Sequence, residues 1–124
     1  MTIRRLSQLQ WFGFLAGGVI WWTTFLTGIG TTMAVCNPGS ARWGIPHDTV
    51  QLTLMVVAVA FILAAQAAAV TVFRATRNVE EADPPPEGRL HLFSIGALLG
   101  NTLFLVIILL TEIAALVDRA CHQA

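Results

Sequence analysis

The residues of this chain that could do chemistry are few, and they sit near the ends of apolar runs. Cys36 and Cys121 each stand just past such a run, with His47 and His122 in the same flanking segments. Two thiols on an oxidising face of a membrane tend to pair. Helix ends on adjacent spans come within the roughly 6 Å Cα separation that a disulfide requires. A Cys36–Cys121 bridge is therefore expected. Cys36, His47, Cys121 and His122 are also a Cys₂His₂ set, the donor types that hold copper or zinc. Their spacing matches no known ligand pattern, and the neighbours Cys121 and His122 do not easily share one ion, so no metal is expected. A pair of free thiols is the remaining alternative.

Glu112 is the one acid inside an apolar run. An ionisable group within a bilayer is by default a functional hypothesis. Its place in the last turns of its run also lets it reach water. Asn101 lies eleven residues earlier on the same helical face. Ser94, Ala97, Asn101, Ile108 and Glu112 form one stripe at helical spacing. That stripe is expected to face other helices, with Asn101 hydrogen-bonding across. A proton path would want acids at several depths. His47 and His122 read as aqueous and His91 as interfacial, so none is deep enough to ligate a haem. No cofactor is expected. No nucleophile–base pair, phosphate loop or metal motif appears, so neither is an enzyme.

The elements that position these residues follow from composition. The chain is 56% hydrophobic and only 11% charged, where a soluble domain carries about a quarter charged residues. A chain of 124 residues cannot hide that much apolar surface in one core. The bilayer is its natural solvent. Formal net charge is zero, which excludes a nucleic-acid footprint. Residues 11–35, 50–73 and 92–117 are three apolar runs, each longer than the roughly 20 residues a transmembrane helix needs. Continuous apolarity is not the alternation of barrel strands. The fold class is an all-α membrane protein with three transmembrane helices, one membrane domain over 1–124. Arg4 and Arg5 before the first run resemble a signal-peptide start, and Met33-Ala34-Val35-Cys36 resembles a lipoprotein cleavage site. A signal core spans only about 7–15 residues, and the β-branched Val35 fits that site poorly, so a retained helix is expected.

Asn37-Pro38-Gly39-Ser40 ends the first helix as a turn cluster. Residues 74–89 form a charged loop in which Pro84, Pro85 and Pro86 forbid helix. Arginine placement sets orientation. Arg4, Arg5, Arg74, Arg77 and Arg89 fall on one side, and only Arg42 and Arg119 on the other. The N-terminus and the 74–89 loop are expected in the cytoplasm and the C-terminus outside, in the bacterial inner membrane. Trp11 and Trp43 fall near the two interfaces, where indoles prefer to sit.

Small residues mark close helix approach. Gly13, Gly17, Thr24, Gly28 and Thr31 line the first span. Ala60, Ala64, Ala67 and Ala68 serve the second, and Gly96 and Gly100 the third. Trp21 and Trp22 sit mid-span, where an indole N–H needs an acceptor. One is expected to meet a threonine and the other to face lipid or another subunit.

Gly17-Gly18-Val19-Ile20-Trp21, the cysteine closing that helix, the run Gly96-Ala97-Leu98-Leu99-Gly100-Asn101-Thr102-Leu103-Phe104 and the C-terminal cysteine together resemble a family. It comprises small, uncharacterised bacterial membrane proteins encoded beside haem-copper (cytochrome c) oxidase genes. Where members show Gly-Pro in the first helix and Pro-Cys at the end, this chain has Gly17-Gly18 and Ala120-Cys121. The resemblance implies a respiratory neighbourhood and assigns no catalytic residue. The expectation is a non-enzymatic accessory or assembly protein in a larger membrane complex or a homo-oligomer. The alternatives are a copper-handling protein on the outer face and a small transporter or channel subunit.

Overall fold

Leucine, alanine, valine and isoleucine dominate the stretches between the prolines. In the computed structural model, which describes residues 1–37, 44, 46–117 and 121, these stretches form three α-helices. They are α1 (Ile3–Cys36), α2 (His47–Ala75) and α3 (Glu87–Val117). Their 34, 29 and 31 residues correspond to about 51, 43 and 46 Å of helix at 1.5 Å per residue. All three are long and apolar enough to cross a membrane.

Each helix outruns the apolar run that predicted it. α1 starts at Ile3 and takes in Arg4 and Arg5, because arginine, leucine and glutamine favour helix whatever their solvent. α2 starts at His47, with Pro46 ahead of it and Asp48 in the first turn, where a carboxylate complements the helix dipole. α3 starts at Glu87, immediately after the prolines. The charged loop therefore shrinks from 74–89 to 76–86. Thr76 ends α2, its N–H and its hydroxyl both donating to the Val72 carbonyl, at 3.0 and 2.9 Å.

The helices run up, down and up, each packed against both others. α1 and α3 consequently finish at the same end, where Cys36 and Cys121 are joined, Cα to Cα 5.2 Å. The interior is thin. Leu6, Val72 and Leu90 cluster at the linker end. Ala58, Ile62 and Ile108 cluster further along, with Trp21 and Phe104 against them.

The buried face of α2 is Gln51, Ala58, Ile62, Ala65, Ala68, Ala69 and Val72. This corrects part of the expected alanine stripe, since Ala60, Ala64 and Ala67 are exposed while Ala68 is buried. Alanine occupies both sides of α2, so small size does not select a face. The large residues Ile62 and Val72 select it by filling the space between the helices.

Polar side chains share the interior with these apolar clusters, and the outer surface is largely apolar. Gln10, Thr24, Gln51, Thr76, Ser94, Asn101 and Glu112 are buried, while Val19, Trp22, Leu99, Leu103 and Leu110 are among many exposed large hydrophobics. A soluble protein arranges these classes the other way round. The described helices resolve the contradiction if hydrocarbon surrounds them, since lipid accepts apolar side chains and cannot satisfy polar ones.

Candidate functional site

The buried polar residues form a seam along the bundle. At its centre the Asn101 amide Nδ2 donates to the Gly13 carbonyl at 2.8 Å, linking α3 to α1. Gly13 also lies close against α2. A Cβ there would lie 3.2 Å from both the Ala65 carbonyl oxygen and the Ala69 nitrogen of α2. Gly17 sits one turn on, and a Cβ there would strike Asn101 Oδ1. The stripe of Ser94, Ala97, Asn101, Ile108 and Glu112 is buried throughout. On α1, Gly13, Gly17 and Thr24 are buried, and Gly28 is half-buried against the Gln51 amide.

Gly96 and Gly100 require a correction. Gly96 is exposed, with only a Phe14 ring atom 3.6 Å from a Cβ built on it, and Gly100 has nothing within 4 Å. No helix of the described bundle approaches closely at either, because the face of α3 that meets its neighbours is the Ala97–Asn101 stripe.

Toward the linker end, Thr76 Oγ1 lies 3.1 Å from His91 Nδ1, and the His91 ring stacks on Phe73. Gln10 is 2% exposed, and its amide oxygen and nitrogen both lack a partner among the described residues. Gln66 reaches across to α3, its amide nitrogen 3.4 Å from the Leu98 carbonyl and from Thr102 Oγ1.

Toward the disulfide end the seam widens. His47, expected in water, is tucked against α1 with its side chain only 10% exposed. Its Nε2 lies 3.1 Å from Thr32 Oγ1 and 3.5 Å from Gln51 Nε2. The displacement follows from the early start of α2, which makes His47 the first helical residue and seats it beside the end of α1. Gln51 is 2% exposed and Glu112 5%. Gln51 Oε1 and Glu112 Oε2 lack hydrogen-bond partners among the described residues. Both residues line a cleft of about 180 Å³ together with Trp21, Thr24, Phe25 and Thr111. Trp21 stacks on Phe25, ring centroids 5.8 Å apart, and packs on Phe104. Trp22 turns outward and is 55% exposed.

The cysteines are joined to each other, so neither thiolate is available to a metal. Among the described residues no group of three or more His, Cys, Asp or Glu side chains is placed to hold an ion. The expectations for Pro38 to Ser40, Arg42, Trp43, Arg119 and His122 lie outside the described residues. Sequence reasoning missed Gln10, Gln51 and His47 as interior groups. The only signal was a glutamine interrupting an apolar run, visible at Gln51 and Gln66.

Comparison with protein-family models, with curated proteins and with solved structures finds no match for this chain.

Proposed function

We propose that this chain is a non-enzymatic, multi-pass accessory or assembly protein of the bacterial inner membrane that packs against a respiratory complex of the haem-copper oxidase type. The observation that carries its membrane character is the inverted distribution of side chains, polar seam within and Val19, Trp22, Leu99 and Leu110 without. So small a bundle buries only a minority of each apolar span, which leaves long helix faces for lipid or a larger membrane partner. The resemblance carried by Gly17 to Trp21 and Gly96 to Phe104 supplies the respiratory neighbourhood.

The orientation is N-terminus in and C-terminus out. Arg4, Arg5, Arg74, Arg77 and Arg89 share the end opposite the disulfide, as retention of arginine on the cytoplasmic side requires. The disulfide then lies on the oxidising side, where it persists.

The test is to tag the C-terminus at native expression, solubilise the membranes in mild detergent, and identify the co-purifying polypeptides while recording the visible spectrum. Haem bands with oxidase or cytochrome subunits are expected. A colourless protein purifying without partners overturns this reading.

A further inference from the structure

The cleft near the disulfide end is built unlike the rest of the seam. Two of its wall residues, Gln51 on α2 and Glu112 on α3, are almost fully buried and each carries an oxygen without a hydrogen-bond partner among the described residues. Leaving a buried acceptor unsatisfied is costly, and more so for a carboxylate. The threonines around them cannot help. Thr24 and Thr111 donate their hydroxyls to the carbonyls of Ile20 and Ile107, at 2.7 and 2.9 Å. Thr32 donates likewise to Gly28 at 2.9 Å. A hydroxyl has one proton, so each of these groups has only lone pairs left to offer. No arginine is among the described residues lining the cleft. The described wall is thus rich in acceptors and carries one carboxylate, Glu112.

The stacked rings of Trp21 and Phe25 line the same cleft. Aromatic faces attract cations by their quadrupole. Phe25, Ile29 and Thr111 are exposed at the edge of the cleft, so it opens between α1 and α3. Its volume of about 180 Å³ holds several waters' worth of ligand.

We propose that this cleft binds a primary alkylammonium group, its N–H donors directed to Glu112 Oε2 and Gln51 Oε1 and its alkyl stem against Trp21 and Phe25. An ammonium is all donor and no acceptor, the complement of this wall, and its charge balances the Glu112 carboxylate. The apolar rings favour an organic cation over a strongly hydrated metal ion. Among the described residues His47 is the other ionisable side chain near Glu112, and it is engaged with Thr32 and Gln51. The ammonium can belong to a free amine or to an aminophospholipid headgroup at the membrane surface. The site is independent of the respiratory assignment.

The full-length, disulfide-closed protein is purified in detergent and titrated with ethylammonium chloride, following tryptophan fluorescence, against sodium chloride at equal ionic strength. A saturable change with ethylammonium alone is expected. Glu112→Gln, which keeps shape and removes charge, should weaken it at least about tenfold, and Phe25→Leu about threefold. Circular dichroism and non-reducing gel mobility establish that each variant is folded and bridged. Nanodiscs of phosphatidylethanolamine and of phosphatidylglycerol separate the two sources. A higher midpoint in phosphatidylethanolamine identifies the headgroup as the occupant, and an equal midpoint identifies a free amine. No saturation, an equal response to sodium, or a folded Glu112→Gln protein that binds as the wild type does would overturn the proposal.

Discussion

Asn101 and Gly17 work as one unit. The Asn101 amide donates to Gly13 from inside the bundle, and its other arm, Oδ1, occupies the space a Gly17 side chain would need. Asn101→Ala should therefore destabilise the bundle by about 1 kcal/mol, the usual worth of an interhelical hydrogen bond in a membrane. Gly17→Ala should cost as much or more by pushing Asn101 off its acceptor and crowding Phe104. In the Asn101→Ala background Gly17→Ala should cost much less, since the added methyl then meets an emptied volume. Reversible unfolding in detergent measures this double-mutant cycle, and additive costs would show that the two residues are not coupled. Gly100→Ala is the control. Its Cβ would meet nothing within 4 Å, so stability should hold or rise slightly with the better helix propensity of alanine.

At the scale of elements, the helices are specified locally and their lengths are set by what stops them. Proline stops α3 on its N-terminal side, and Thr76 closes α2 by returning two hydrogen bonds to its last turn. The linker between them is tied down. The Glu80 N–H donates to the Asp83 carboxylate at 2.9 Å, and Gly88 lies directly beneath the Asp83 carbonyl. A Cβ at Gly88 would meet backbone there, which cannot yield as a side-chain tip does. Gly88→Ala should cost about 1–3 kcal/mol and loosen the 76–86 linker, read as faster proteolytic cleavage between Thr76 and Pro86 with the three helices retained by circular dichroism. An unchanged cleavage rate would mean that the linker shifts without strain. None of this is legible from the Pro84–Pro86 run, which announces a break in helix but not which glycine the returning chain must pass over.

For the whole molecule, the up-down-up path brings the ends of α1 and α3 together, and the Cys36–Cys121 bridge closes that end across 85 residues of chain. The chain-entropy model assigns such a closure roughly 4–5 kcal/mol in solution. Within a bilayer the gain is smaller, because inserted helices are already confined. Reduction, or replacement of both cysteines by serine, should lower the unfolding temperature in detergent while helix content stays unchanged. A collapse of helicity would mean that the bridge holds the spans themselves together. Orientation is checked at the same scale. Alkaline phosphatase fused after Ala124 should be active and, fused within 77–83, inactive, and the reverse pattern would invert the assignment.

The spans were legible in the sequence because hydrocarbon demands a continuous apolar run of fixed minimum length, and residues 11–35, 50–73 and 92–117 meet that demand without reference to one another. The Asn101–Glu112 stripe was legible for a related reason: Asn101 and Glu112 are the one amide and the one carboxylate in the 92–117 run, and their helical spacing places them on one face. The pairing of Cys36 with Cys121 could be inferred because three spans leave the first and last helices ending at one side. What the tertiary structure decided is where small and polar residues meet across helices. It chose the Ala65–Ala69 face of α2 over the Ala60–Ala64 face, left Gly100 without a neighbour, and brought His47, Gln51 and Glu112 toward one end of the seam. Helical periodicity sets which residues share a face. Only the rotation of each helix about its own axis decides what that face meets, and that rotation is settled by the packing of three helices at once.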